Sequence, residues 1–369
     1  MKIHLVGGFL GSGKTTAIAV ACQHLKQQGL KVGVITNDQG QYLVDSEFLE
    51  AEGISSAQVT GGCFCCNYDQ LDEQIQLMKA AASPDIIFAE SVGSCTDLVA
   101  TVLKPLLKFR QGEMEMLTLS CFVDARMLLM HVEGKRLPFS KDTSYIWEKQ
   151  IEEASLIVVN KIDLISAADL PAFKLALAGK YPDRKFLFQN SLELDSVLRW
   201  LTALDVKQDS SGIVSLDIDY AKYANGEAEL AWLDEQITME TTDGSAPKRA
   251  LDLVRRFVAR LSQSGASIGH VKVMVSANGL QKKLSFTTLA TNDASVEELL
   301  TSFGAQNLAQ LTMNARVQTS PEMLRAMLVK ELAHQKQAGD VVVSEQHVSF
   351  FKPGFPTPIH RFEVDYKAT

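Results

Sequence analysis

The sequence predicts an α/β fold: a doubly wound, mostly parallel sheet followed by a smaller α+β domain. Three observations support this. Short apolar runs alternate with helical patterns through residue 204, a glycine-rich run joins the first apolar run to the first helical pattern, and the pattern changes after residues 207–212. The expected domains are therefore residues 1–206 and 213–369. At 369 residues, with 46% hydrophobic and 22% charged side chains, the chain can bury two cores. Its net charge of −8, from 36 basic and 44 acidic residues, argues against broad nucleic-acid binding. No run approaches the ~18 apolar residues that span a bilayer, and the opening lacks the apolar region of a signal peptide. The expectation is a cytoplasmic protein with no membrane partner.

Residues 2–6 read as a buried strand, and Gly8 to Thr16 follows as Gly-Phe-Leu-Gly-Ser-Gly-Lys-Thr-Thr. This satisfies G-x-x-x-x-G-K-[ST], the phosphate-binding loop. Gly8, Gly11 and Gly13 let the backbone around Ser12 curl so that its N–H groups face one anion-sized hollow at a helix N-terminus. Lys14 is placed to reach the β and γ phosphates. The Thr15 hydroxyl is the expected Mg²⁺ ligand, with Thr16 beside it. Residues 14–28 form a helix whose Cys22 and His24 read as core or surface fillers, and Gly29 stops it.

Residues 31–36 form the second strand, which ends at Asn37-Asp38-Gln39-Gly40. Polar residues at that end of an open parallel sheet lie beside the nucleotide crevice. Asp38 is a catalytic and Mg²⁺-contacting candidate, and equally a turn aspartate. Gly61-Gly62-Cys63-Phe64-Cys65-Cys66 comes next, before a helix over residues 69–82. The six cysteines are too unevenly spread for a disulfide framework, and three lie within four residues. Thiolates at Cys63, Cys65 and Cys66 suit Zn²⁺, Co²⁺, Ni²⁺ or Cu⁺ rather than Mg²⁺. Three ligands from one short loop leave a coordination position open, which suits an ion that must later leave.

Residues 85–89 are the third strand, followed by Glu90-Ser91-Val92-Gly93. Glu90 is the expected direct or indirect Mg²⁺ partner, and Gly93 a donor to a γ phosphate. Cys95 reads as a small apolar filler or a further thiolate. Residues 96–110 read as a helix interrupted at Pro105, and 116–123 and 156–159 as strands. The latter ends in Asn160-Lys161-Ile162-Asp163. The Asp163 carboxylate can accept from guanine N1 and N2, a pattern adenine cannot offer. Asn160 braces that loop, the Lys161 stem covers the base, and Ser191 follows the strand at 186–188. GTP is favoured over ATP.

Beyond the expected boundary, residues 213–220 alternate like a half-exposed strand, and 230–241 supply another. A helix at 247–261, a hairpin around Asn278-Gly279, a helix at 296–303, a strand at 308–317 and a helix at 321–337 complete the second domain. Phe350, Phe351, Phe355 and the prolines at 353, 356 and 358 read as an extended tail across the domain or toward a partner.

With the phosphate loop, C-x-C-C, E-S-x-G and N-K-x-D in this order, residues 1–205 resemble the CobW-like GTPases, a cobalamin-synthesis and metal-chaperone family. The resemblance implies a P-loop GTPase domain that hydrolyses GTP to GDP with Mg²⁺. It also implies a transition metal, Zn²⁺ or Co²⁺ foremost, held at the cysteines and passed to a client metalloprotein or cofactor-synthesis enzyme. A homodimer is compatible with it. Val123, Asp124, Ala125 and Gln150 match family positions. The family's Asn-Glu-Phe-Gly-Glu segment is here Asn37-Asp38-Gln39-Gly40-Gln41, and the histidine-rich loop of some members is absent. The alternative is a GTP-gated assembly or reactivation factor for a metalloenzyme, its cysteines structural or redox-sensing.

Overall fold

In the computed structural model, which describes residues 1–38, 40, 44–206, 214–291, 295–337 and 339–363, the first half of the chain runs through β1 (Lys2–Gly8), α1 (Lys14–Gln27), β2 (Val32–Asn37), α2 (Val44–Ala51), β3 (Ser56–Val59), α3 (Tyr68–Ala82) and β4 (Ile86–Glu90). It continues through α4 (Lys104–Phe109), β5 (Met116–Asp124), α5 (Ala125–Val132), α6 (Lys141–Glu153), β6 (Leu156–Asn160), α7 (Leu170–Lys180), β7 (Lys185–Phe188) and α8 (Leu194–Leu204). The second half holds α9 (Tyr220–Ala228), β8 (Leu230–Thr241), α10 (Ala246–Gln263), β9 (Ser267–Ala277), β10 (Leu280–Phe286), α11 (Ser295–Phe303), β11 (Leu308–Gln318), α12 (Pro321–Gln337) and β12 (Val341–Phe351). The chain divides into two units. One comprises Met1–Gln39, Glu52–Gly226 and Pro356–Thr369, the other Gly40–Ala51 and Glu227–Phe355. Residues 207–213, where composition places the boundary, lie outside the described residues.

In the first unit seven strands pair in the order β3-β2-β4-β1-β5-β6-β7, all parallel. Ile3, Leu5, Ile87, Phe88, Phe122, Ile157 and Val158 are buried in it, as parallel strands covered by helices on both faces require. The register sets Val6 of β1 opposite Glu90 of β4 and Ser120 of β5. The acidic residue that ends β4 is thereby carried to the phosphate loop.

The six expected strands of this sheet are present, and β3 is a seventh. Ser56-Ala-Gln-Val lacks apolar alternation because it is an edge strand paired to β2 alone. The helix expected over residues 96–110 begins instead as a π-helical turn, Val99–Leu103, and passes into α4 with Pro105 in its first turn. The chain is already helical from Leu98, so the proline withdraws an N–H inside the helix, and the Ala100 carbonyl accepts from the Phe362 N–H (2.9 Å). The strand expected over 213–220 is absent among the described residues. Leu216 and Ile218 anchor an irregular segment on Ile146 and Tyr223, and the Asp219 carboxylate accepts from the N–H groups of Ala221 and Lys222 (3.1 Å each) to start α9. Anchoring every second side chain on a helix imitates strand periodicity.

The second unit is built on an antiparallel sheet in the order β10-β9-β11-β8-β12. Asn278 and Gly279 take positive φ (51° and 73°) and close the expected hairpin between β9 and β10. Leu251, Val254, Phe257, Val258 and Leu261 of α10 are buried against Val271, Val273 and Val275 of β9. Strand alternation puts Lys272 on the opposite face, where its ammonium and that of Lys283 (2.9 Å) hold the Asp45 carboxylate of α2. The Val44 N–H donates to Asn314 Oδ1 (2.8 Å), and the Thr312 hydroxyl to Glu47 (2.8 Å). The tail expected from Phe350 is split: β12 runs to Phe351 along β8, and Pro356 onward belongs to the first unit.

Glu153 of α6 is wholly buried, accepting from the Val99 N–H (3.3 Å) and the Thr96 hydroxyl (3.4 Å). Its carboxyl is pushed up to about 8, first by burial and then by the Asp97 charge. The folded chain thus keeps a proton that the unfolded chain has released. This group's contribution to stability falls as pH rises from the ordinary carboxyl range to about 8, with a limiting slope of about 1.4 kcal/mol per pH unit. Glu153→Gln, neutral throughout, should remove that slope. Denaturant unfolding of both proteins across this pH window checks it, and parallel slopes would contradict it.

Candidate functional site

The phosphate loop leaves the carboxyl end of β1 in the middle of the parallel sheet. Gly8, Gly11 and Gly13 all take positive φ (121°, 70° and 91°). A Cβ on Gly8 would overlap the Phe122 carbonyl, and one on Gly13 the Asn160 amide. Gly13 caps α1 without a side chain, so the first N–H groups of the helix face the loop's hollow. The buried Ser12 hydroxyl has no hydrogen-bond partner among the described residues. An orphaned hydroxyl in a glycine-lined cradle fits a phosphate. Lys14 Nζ curls over the loop onto the carbonyls of Gly8 (2.8 Å) and Phe9 (3.4 Å), 3.9 Å from Glu90 Oε1. The Thr15 hydroxyl donates to Glu90 (3.0 Å). That pair supplies the hard oxygen donors Mg²⁺ prefers. Thr16 is half-buried in the first turn of α1, and Asp38 half-buried at the end of β2 with its N–H on the Val59 carbonyl (3.2 Å). Gln39 and Gln41 lie outside the described residues.

The loop after β4 lies directly on the phosphate loop. A Cβ on Gly93 would sit 2.8 Å from the Leu10 nitrogen. Gln150 of α6 fixes this loop, its amide donating to the carbonyls of Gly93 (3.0 Å) and Cys95 (2.7 Å). The family resemblance marks Gln150 as a matching position, but nothing local in the sequence shows that its amide clamps a loop.

At the end of β6, Asn160 Nδ2 donates to the Ser12 carbonyl (2.7 Å), while its Oδ1 accepts from the Ser191 N–H (3.1 Å) and hydroxyl (2.8 Å). Lys161, in the left-handed region (φ 60°), donates to the Gly11 carbonyl (2.6 Å) and pairs with Asp124 (3.2 Å). Burial pushes the Asp124 carboxyl up, but the Arg126 and Lys161 cations outweigh it and hold it below the usual carboxylate range. Asp163 is exposed on the single turn Ile162–Leu164, where an acceptor for a base edge is reachable. The structure therefore joins Ser12, Lys161, Asn160 and Ser191 in one network with the phosphate loop.

The thiol cluster sits between β3 and α3, and β2 holds it in place. Asn37, the last residue of β2, donates from Nδ2 to the carbonyls of Val59 (3.1 Å) and Gly62 (2.7 Å), and its Oδ1 accepts from the Phe64 N–H (2.8 Å). The N–H groups of Cys66 (3.0 Å) and Asn67 (2.9 Å) close the turn on the Cys63 carbonyl. Cys63, Cys65 and Cys66 then lie with their sulfurs all within 4.8 Å of one another, at 2.6 Å (63 to 65), 3.4 Å (63 to 66) and 3.8 Å (65 to 66). Four sulfurs around a zinc at ~2.3 Å stand about 3.8 Å apart, so the cluster needs only a slight opening to take such an ion. Hydrogen bonding with Cys63, Cys66 and Cys95, together with burial, pushes the Cys65 thiol up, and the Cys66 thiol is pushed up to about 11, first by Cys63.

One further layer had no signal in the sequence beyond a proline-rich tail. The Thr357 N–H donates to Cys66 Sγ (3.2 Å) and the Ile359 N–H to the Cys65 carbonyl (3.1 Å). His360 packs against Tyr68 and Phe109, and Arg361 pairs with Asp97 (2.8 Å).

Comparison with known proteins places this geometry. The sequence profile of the CobW/HypB/UreG nucleotide-binding domain matches residues 2–187. The chain is 28% identical over 190 residues to the zinc chaperone CobW of Sinorhizobium sp, covering 46% of this chain and 53% of that protein. It is 30% identical over 169 residues to the zinc chaperone YeiR of Escherichia coli (strain K12), covering 44% and 47%. The urease accessory protein UreG of Mycobacterium tuberculosis (strain ATCC 25177 / H37Ra) is 32% identical over 181 residues, covering 45% and 68%. The chain thus spans about half the length of each of these two zinc chaperones. The profile runs from β1 into β7 and takes in the phosphate loop, the cysteine loop and Asn160 to Asp163, and on that extent the chain belongs to the CobW/HypB/UreG nucleotide-binding family.

Proposed function

We propose that the protein is a GTP-driven metal carrier. It holds a transition metal, zinc or cobalt foremost, at Cys63, Cys65 and Cys66 and hydrolyses GTP to GDP to release that metal to a client metalloprotein or cofactor-synthesis enzyme. The observation that carries this reading is Asn37. Its one side chain fixes both flanks of the cysteine loop, and it is covalently next to Asp38 at the nucleotide end of β2. The names of the relatives, two zinc chaperones and a urease accessory protein, agree with metal as the cargo.

In this mechanism Lys14 would exchange the carbonyls of Gly8 and Phe9 for the β and γ phosphates, and Thr15 and Glu90 would hold Mg²⁺. When bound, Mg²⁺ neutralises charge on the phosphate oxygens. The Gly93 N–H and Asp38 close toward the γ phosphate, and Asp163 takes the guanine edge. Asn37 moves with Asp38, so the cysteine loop is drawn into its metal-holding geometry while the γ phosphate is present. Loss of that phosphate frees both loops. Metal and nucleotide are coupled only to the extent that the metal binds the two states with different affinity.

Metal titration with a non-hydrolysable GTP analogue and with GDP is the direct test. The dissociation constants should differ, the analogue state binding more tightly, and equal constants would overturn the carrier reading. Cys65→Ser with Cys66→Ser should abolish stoichiometric zinc binding, measured by competition with a chromophoric chelator, while GDP affinity persists. Asp163→Ala should weaken the preference for GTP over ATP by roughly 10- to 100-fold through loss of charge-assisted hydrogen bonds. Nucleotide competition measures it, and an unchanged ratio would show that Asp163 does not read the base.

A further inference from the structure

Cys95 lies two residues past Gly93, on the loop that covers the phosphate loop. It is wholly buried, and its sulfur stands 3.7 Å from that of Cys65. That is the sulfur-to-sulfur edge of a four-thiolate zinc or cobalt site, about 3.8 Å for metal–sulfur bonds of ~2.3 Å. The other cysteines outside the loop behave differently. Cys22 of α1 and Cys121 of β5 are equally buried, yet make no thiol contact among the described residues. A cysteine that only fills apolar space has no reason to meet a member of a three-thiol cluster.

The backbone around Cys95 is held in a way that suits a ligand. Its N–H donates to the Val92 carbonyl (3.0 Å), and its own carbonyl accepts from Gln150 (2.7 Å). The main chain is fixed with the sulfur already against Cys65, at the edge of the group that Cys63, Cys65 and Cys66 form within 4.8 Å of one another. The thiol also lies 3.8 Å from the Thr96 carbonyl.

We propose that Cys95 is the fourth metal ligand, completing a site in which Cys63, Cys65 and Cys66 supply three thiolates and the loop after β4 supplies the last. The proposal rests on the metal-carrier reading and deepens it. Each thiol gives its proton to solvent as the metal–sulfur bond forms, and no oxidant or reductant is involved. Its consequence is directional. Glu90, which ends β4, and Gly93 and Cys95 of the loop that follows it lie within six consecutive residues. A loop held by a γ phosphate presents four thiolates, and a relaxed loop withdraws one. A three-thiolate site with an open position is the form from which a client's ligands can take the ion.

Cobalt(II) is the probe, since its thiolate charge-transfer absorption grows with the number of sulfurs bound. Wild type, Cys95→Ser and Cys95→Ala are titrated with Co²⁺ in the presence of a non-hydrolysable GTP analogue and of GDP. In the analogue state the variants should lose about a quarter of the charge-transfer intensity expected of four thiolates and bind roughly tenfold or more weakly. The affinity gap between the two nucleotide states should narrow with them. Unchanged intensity, affinity and gap in variants that keep the wild-type circular dichroism would overturn the assignment of Cys95 and leave the carrier reading standing. Absence of Co²⁺ binding by wild type would overturn both. X-ray absorption of the zinc-loaded wild type with the GTP analogue needs no variant to fold: four sulfurs support the proposal, and three with a lighter atom overturn it.

Discussion

The architecture depends on one side chain amide. Asn37 ends a buried strand next to the sheet's edge strand, and its two polar atoms hold the carbonyls of Val59 and Gly62 and the N–H of Phe64. The Val59 carbonyl also accepts from the Asp38 N–H, but the Gly62 carbonyl and the Phe64 N–H would otherwise be left unpaired or handed to water, at a cost of about 1–3 kcal/mol for each one buried. Aspartate could not donate to the two carbonyls, and serine could not span both flanks. The amide thus ties the cysteine loop to the strand that leads into the nucleotide crevice.

A parallel sheet makes such a tie useful. All seven strands end on the same side, so the phosphate loop after β1, Asn37 after β2, Glu90 after β4 and Asn160 after β6 open onto one edge. The phosphate loop itself is braced from outside: Asn160 and Lys161 hold the carbonyls of Ser12 and Gly11, and Gly93 lies against Leu10. A displacement of either neighbouring loop therefore bears on the phosphate loop. In the proposed mechanism the reverse holds as well, because coupling between two sites is reciprocal.

Much of this was legible before any coordinates. The phosphate loop, the acidic end of β4, the cysteine triplet and Asn160 to Asp163 are short local patterns whose residue types follow from their chemistry. The strand-and-helix alternation made the parallel sheet readable, and the Asn278-Gly279 turn made the hairpin readable. What escaped is non-local. Residues 40–51 group with the second unit because Asp45 meets Lys272 and Lys283, which lie more than two hundred residues later. Residues 356–363 lie on the cysteine loop through backbone N–H groups, which every non-proline residue possesses and which no pattern can mark. Residues 213–220 misled because alternate anchoring on a helix and alternate burial in a sheet write the same periodicity. Cys95 stayed ambiguous because a thiol's role is set by its neighbours in space.

The central claim, that the nucleotide state reaches the cysteine loop through β2 and the loops beside it, is tested most directly without metal. Amide hydrogen exchange of Phe64, Cys66 and Asn67 is measured in metal-free protein, first with GDP and then with a non-hydrolysable GTP analogue. The account predicts slower exchange at these amides with the analogue, because Asn37 and the Cys63 carbonyl then hold them in a fixed loop. Identical exchange in the two states, alongside a clear change at the phosphate loop, would contradict it.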